Sequence, residues 1–101
     1  MTDHRPSSTH SSSTAFEKAS LERFRDILLI VPEACLLHRE VWGQSTILCI
    51  DFKRCPDQLE ELKEQALMLL MGANHLGLAQ SISFRIGSRV KGWVNFASIG
   101  A

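Results

Sequence analysis

Four residues near the middle of the chain carry side chains capable of chemistry: His38, Glu40, Cys49 and Asp51. Imidazole, thiolate and carboxylate are all ligands that zinc accepts. An imidazole beside a thiol is also the pairing of a nucleophile with its base. Spacing supports neither chemistry: no two of these residues stand at a helix-turn or knuckle interval. The glycine-containing strings Met71-Gly72-Ala73 and Gly87-Ser88-Arg89 lack the spacing and lysine of a phosphate loop. A cysteine without such company behaves as a small buried hydrophobe. The expectation is a non-enzymatic protein with no catalytic residue, no metal and no cofactor.

What would bring these four residues together is a hairpin. Two strand-like runs, Ala34–Trp42 and Ser45–Lys53, flank Gly43-Gln44, and a glycine-led two-residue connection fits a type II′ turn. That turn pairs Trp42 with Ser45 and sets His38 across from Cys49. One face then carries Cys35, Leu37, Val41, Leu48, Ile50 and Phe52, with Arg39 as its misfit. The other carries Leu36, His38, Glu40, Trp42, Ile47, Cys49 and Asp51, too apolar for open water and too polar for a core.

The remaining elements follow from periodicity. Residues 1–13 are rich in serine and threonine without apolar periodicity, which predicts a disordered tail ahead of one domain over 14–101. Thr14 and Glu17 form a capping box that starts a helix from Ala15 to Leu29. Its apolar stripe is Leu21, Phe24, Leu28 and Val31, Arg25 faces water, and Pro32 ends it. Pro56 opens a second helix, reaching Gly72 or Gly77, whose later half is apolar nearly all round. In the last segment, Ile82, Phe84 and Ile86 alternate and can meet Val90, Val94 and Phe96. A three-residue loop, Gly87-Ser88-Arg89, keeps those sets on one face, aligning Ile86 with Val90, Phe84 with Gly92 and Ile82 with Val94. The expected fold is therefore α+β: a two-layer sandwich of order α-β-β-α-β-β, its antiparallel sheet carrying helices mainly on one face.

Composition bounds the partners. The 101 residues hold eleven basic and eleven acidic side chains, a zero net charge that argues against a general polyanion binder and removes a barrier to self-association. Three unpaired-looking cysteines and no basic-then-apolar leader fit a reducing cytoplasm. The apolar run at Ala66–Ala73 is far short of the roughly 20 residues a bilayer span needs, so no membrane role is expected.

Two surfaces stand out. Leu36, His38, Trp42 and Ile47 on the hairpin, with Met68 and Met71 on the second helix, suit a protein partner or a second copy of the chain. On the last hairpin, Arg85, Arg89 and Lys91 beside Trp93 are the parts needed to hold phosphates and stack a base. The order helix, hairpin, helix, hairpin resembles that of roadblock-like and related small α/β interaction modules, though no third C-terminal helix follows. The resemblance implies a dimeric scaffold of regulatory complexes. The expected function is thus a small self-associating interaction or regulatory domain. The alternative is a nucleic-acid-binding module using the basic C-terminal face.

Overall fold

The computed structural model describes residues 4–97, with side chains from 14 to 97. The elements in chain order are α1 (His4–Ile27), β1 (Leu36–Trp42), β2 (Ser45–Asp51), a 3₁₀ turn (Pro56–Gln58), α2 (Leu59–Lys63), α3 (Ala66–His75), β3 (Ser81–Ile86) and β4 (Arg89–Asn95). This is the α+β order read from the sequence. Of the stretch expected as a tail, residues 1–3 lie outside the described residues. Backbone 4–13 continues α1 toward the N-terminus, so the helix extends ten residues ahead of the Thr14 box.

The first hairpin forms as its residues dictate. Gly43 takes a positive φ of 63°, which a side-chain-free residue adopts without strain, and Gln44 stays at negative φ. Trp42 pairs with Ser45, His38 with Cys49 and Leu36 with Asp51. The second hairpin corrects the expected loop. Gly87, again at φ 63°, leads a two-residue turn that pairs Ile86 with Arg89 and Arg85 with Val90, in place of the expected Ile86–Val90 pair. A register shift beside Phe84 and Arg85 then inserts the extra residue, restoring Phe84 opposite Gly92 and Ile82 opposite Val94. The bulge does the work assigned to the longer loop.

The sheet has strand order β1-β2-β3-β4, and the two hairpins meet through a parallel β2–β3 pair. The sheet is therefore mixed, a correction to the wholly antiparallel expectation. The reason is the crossover: the chain leaves β2, passes through α2 and α3, and returns to lay β3 beside β2 in the same direction. Backbone bonds from Phe52 to Arg85 (2.7 Å) and from Gln80 to Thr46 (3.0 Å) extend this contact. Parallel strands in the centre of a sheet are covered on both faces. Accordingly Ile47 to Asp51 and Ser81 to Phe84 are all buried.

One face of the sheet, through Leu48, Ile50, Ile82, Phe84 and Val94, packs on Phe24, Leu28, Leu59, Leu62, Leu69, Leu70 and Ala73 from the helical layer. The second helix is divided, because Gln65 departs from helical geometry at φ −100° and ψ 21°. The break lets α2 bury Leu59 and Leu62 while α3 buries Leu69, Leu70 and Ala73. Gly77 (φ 71°) closes α3 with a Schellman pair, its own amide to Asn74 and that of Leu78 to Ala73. The first helix ends at Ile27, before the expected Leu29, and tight turns lead to β1. Arg25 departs from its expected place in water: its guanidinium donates to the carbonyls of Pro32 and Cys35, pinning that turn.

Helices α1 and α3 approach closely at Gly72, where an added Cβ would lie 2.7 Å from Leu28 Cδ1 and 3.6 Å from Phe24 Cε1. Gly72→Val should therefore destabilise the fold by about 2 kcal/mol through overpacking. Gly72→Ala should cost less, because the end of Leu28 can turn aside. Urea unfolding checks this: the midpoint falls with the slope unchanged, and an unchanged midpoint for the valine variant contradicts the packing described.

Candidate functional site on the outer sheet face

The face away from the helices resolves the oddity seen in the sequence. Strand register lays its residues out in rows: Leu36, Asp51, Arg85 and Val90; then His38, Cys49, Ser83 and Trp93; then Glu40, Ile47, Ser81 and Asn95. Long side chains from the flanking positions lean inward over small or apolar ones at the centre. Trp42 from β1 and Trp93 from β4 meet with ring centroids 5.5 Å apart, tilted by 35°. The row between them holds Ile47 and Ser81, both buried.

A second diagonal crosses over Cys49. Arg85 reaches along β3, its Nε donating to Ser83 Oγ at 2.9 Å, and its two terminal nitrogens donate to the two Glu40 oxygens at 2.9 Å each. This fork-on-fork pairing is the strong, directional kind. Glu40 also accepts from Trp42 Nε1 (2.9 Å) and His38 Nε2 (3.0 Å). A carboxylate can only accept, so Nε2 is the donor of this bond. Donors from both partners and from Arg85 hold the Glu40 carboxyl at about 2, below its ordinary 4.5, with the Arg85 hydrogen bonds the largest cause. The same pairing raises the Arg85 pKa.

His38, Glu40 and Cys49 do come together, with their donor atoms all within 4.8 Å of one another. Asp51 faces elsewhere: its Oδ1 accepts from the amides of Lys53 (2.9 Å) and Gly87 (2.8 Å), tying the end of β2 to the β3–β4 turn. Within the trio, the positive charge a metal would bring is already supplied by Arg85, which occupies both oxygens of Glu40. The Cys49 thiol is fully buried and pushed up to about 11, chiefly by that burial. A thiol so held is a poor ligand and a poor nucleophile. His38, the base it would need, has its Nε2 committed to the carboxylate. The arrangement covers the centre of the sheet face, over Ile47, Cys49, Ser81 and Ser83.

The residues expected at a partner surface separate into two groups. Trp42 and His38 lie on this outer face, exposed at its edge, while Ile47 is buried beneath it and Leu36 is half-buried. Met68 and Met71 stand on α3, in the helical layer on the other side of the sheet. The basic residues also divide. Arg85 and Trp93 share the outer face, but Arg85 is only 11% exposed and paired, and Trp93 leans on Trp42. Arg89 and Lys91 stand at the exposed end of β4, and Ile86, the partner of Arg89, packs toward the core. The Arg85–Glu40 pair was the feature missed: opposite charges on outward positions of both hairpins were visible, but not the neighbourhood of β2 and β3. Arg39, the sequence misfit, keeps its place on the helical face, 3.9 Å from Glu17 of α1. Among the described residues no helix is long and apolar enough to cross a membrane.

No family model, curated protein or solved structure matches this chain.

The depressed Glu40 carboxyl fixes a pH dependence. A group whose folded pKa lies below its unfolded value stabilises the fold fully above the unfolded value. That contribution is lost as pH falls from about 4.5 toward 2. Acid titration of stability should therefore fall steeply in this window, and Glu40→Gln should flatten the fall while lowering stability at neutral pH. Equal acid slopes for the two proteins would contradict the assignment.

Proposed function

We propose that this chain is a small interaction module without catalytic activity, which associates with a second copy of itself through the outward side of α3. The observation that carries this reading is the exposure of Leu67 (46%), Met68 (45%) and Met71 (56%) on a helix whose opposite side is core. With Glu64 and Gln65 they line an open groove of about 370 Å³. A helix apolar on all sides is normally covered on all sides, and clustered exposed apolar side chains mark association surfaces. Methionine suits such a surface because its unbranched side chain adapts to what it meets.

Self-association is the favoured form for two reasons. The zero net charge removes the long-range repulsion between copies, and one helix face meeting its own copy satisfies the symmetry of a two-fold dimer. The free thiols Cys35, Cys49 and Cys55 suit a reducing compartment such as the cytoplasm. The nucleic-acid reading draws less support, because its central cation, Arg85, is neutralised by Glu40 and partly buried.

Mass measurement by light scattering at tens of micromolar tests the proposal. The expected result is a dimer that Met71→Glu converts to monomer, with the circular dichroism spectrum unchanged. A monomer mass for the unaltered chain over that range would overturn self-association. A dimer insensitive to Met71→Glu would move the interface away from α3.

A further inference from the structure

Cys35 and Cys55 lie apart from the carboxylate hub, on the helical side of the sheet, and their sulfurs are 3.5 Å apart in the core. Each is held by a tight turn. The Cys35 amide donates to Pro32 (3.1 Å) and its carbonyl accepts from Arg25, while the Cys55 amide donates to Phe52 (3.0 Å). Cys35 directly precedes β1 and Cys55 directly precedes the 3₁₀ turn, so the two sulfurs sit at the open end of the β1–β2 hairpin. Nothing in the carboxylate hub or the α3 surface uses them. A disulfide bond is about 2.0 Å long, so the sulfurs need close by only about 1.5 Å.

The geometry points to Cys35 and Cys55 as a redox-modification site, a dithiol that a small peroxide converts to an intramolecular disulfide. Cys55 is 5% exposed where Cys35 is fully buried, so of the two residues it is assigned as the one oxidised first. Its sulfur attacks one peroxide oxygen, the O–O bond breaks, and the second oxygen leaves as water with the thiol proton. Cys55 is then a sulfenic acid. The Cys35 sulfur attacks that sulfur, the S–O bond breaks, and a second water leaves carrying the Cys35 proton. Two thiols are oxidised by two electrons and one peroxide is reduced. Burial and the neighbouring Cys55 sulfur hold the Cys35 thiol above its ordinary pKa, so the reaction is slow and answers sustained oxidation. The product staples the hairpin that carries Glu40 and Cys49, constraining the unfolded chain. Cys49 takes no part, because it lies under the Arg85–Glu40 pair on the other face.

The test treats the full chain, freed of reductant, with hydrogen peroxide, then unfolds it, alkylates it and maps its peptides. The expected product has lost two hydrogens, carries one alkylated thiol at Cys49 and contains a Cys35–Cys55 linked peptide. It melts several degrees higher than the reduced chain. Cys49→Ala should keep the mass change and the melting shift, and Cys55→Ser should lose both. Three alkylatable thiols after treatment, a disulfide that includes Cys49, or sulfinic acid at Cys55 with no crosslink would each overturn the proposal. Should Cys55→Ser fail to fold, the peptide map of the unaltered chain decides alone.

Discussion

The ion pair between Glu40 and Arg85 is the constraint on which the outer half of this molecule depends. A four-stranded sheet with helices on one side leaves its other face to water, and this sheet has buried parallel strands at its centre. Ile47, Cys49, Ser81 and Ser83 would be wetted if nothing covered them. The chain covers them with its own long side chains, in two diagonals that meet at the Glu40 carboxylate. One is Arg85 over Cys49 and the other is Trp42 leaning on Trp93. Their shared acceptor means that neither diagonal is independent of the other, as hydrogen-bonded networks generally are not.

This roof also specifies register. Glu40 and Arg85 are 45 residues apart in sequence and two strands apart in the sheet. Slipping β3 by one residue against β2 would turn Arg85 to the helical side and leave Glu40 without its guanidinium partner. Asp51 adds a second tie, from the end of β2 to the turn at Gly87. Buried or half-buried ion pairs are weak general sources of stability, but a pair in this position discriminates strongly among alternative strand pairings. The pair covers the centre of the outer face, while the helical layer exposes Leu67, Met68 and Met71 on α3.

Much of this was legible in residue order, for physical reasons. Gly43-Gln44 supplied a turn whose geometry fixes the pairing of every residue in the first hairpin, so the two faces followed. Phe84 opposite Gly92 was legible because only one alignment puts the second hairpin's apolar residues on a common face. The bulge was not, since a two-residue turn plus an inserted residue gives the same inner pairs as a longer loop. The parallel join of the hairpins was also hidden, because strand order depends on where a crossover delivers the chain and not on local pattern. That single unknown concealed the site: His38, Glu40 and Cys49 could be placed together, but the arginine that neutralises them arrives from β3. Hence the hydrogen bonds that join His38 and Glu40 to Arg85 show only in the assembled sheet. The split of the second helix at Gln65 was equally silent, since its apolar residues continue unbroken through it.

Glu40 and Arg85 act as one unit. A double-mutant cycle measures this directly, comparing urea unfolding of Glu40→Ala, Arg85→Ala and the double variant with the unaltered chain. Either single substitution leaves a partly buried charge unpaired, so each should destabilise by on the order of 3 kcal/mol. The double variant should cost far less than the sum, with a coupling of about 2 kcal/mol or more. Two single effects that simply add, to within about 0.5 kcal/mol, would contradict it and leave the outer face without its keystone.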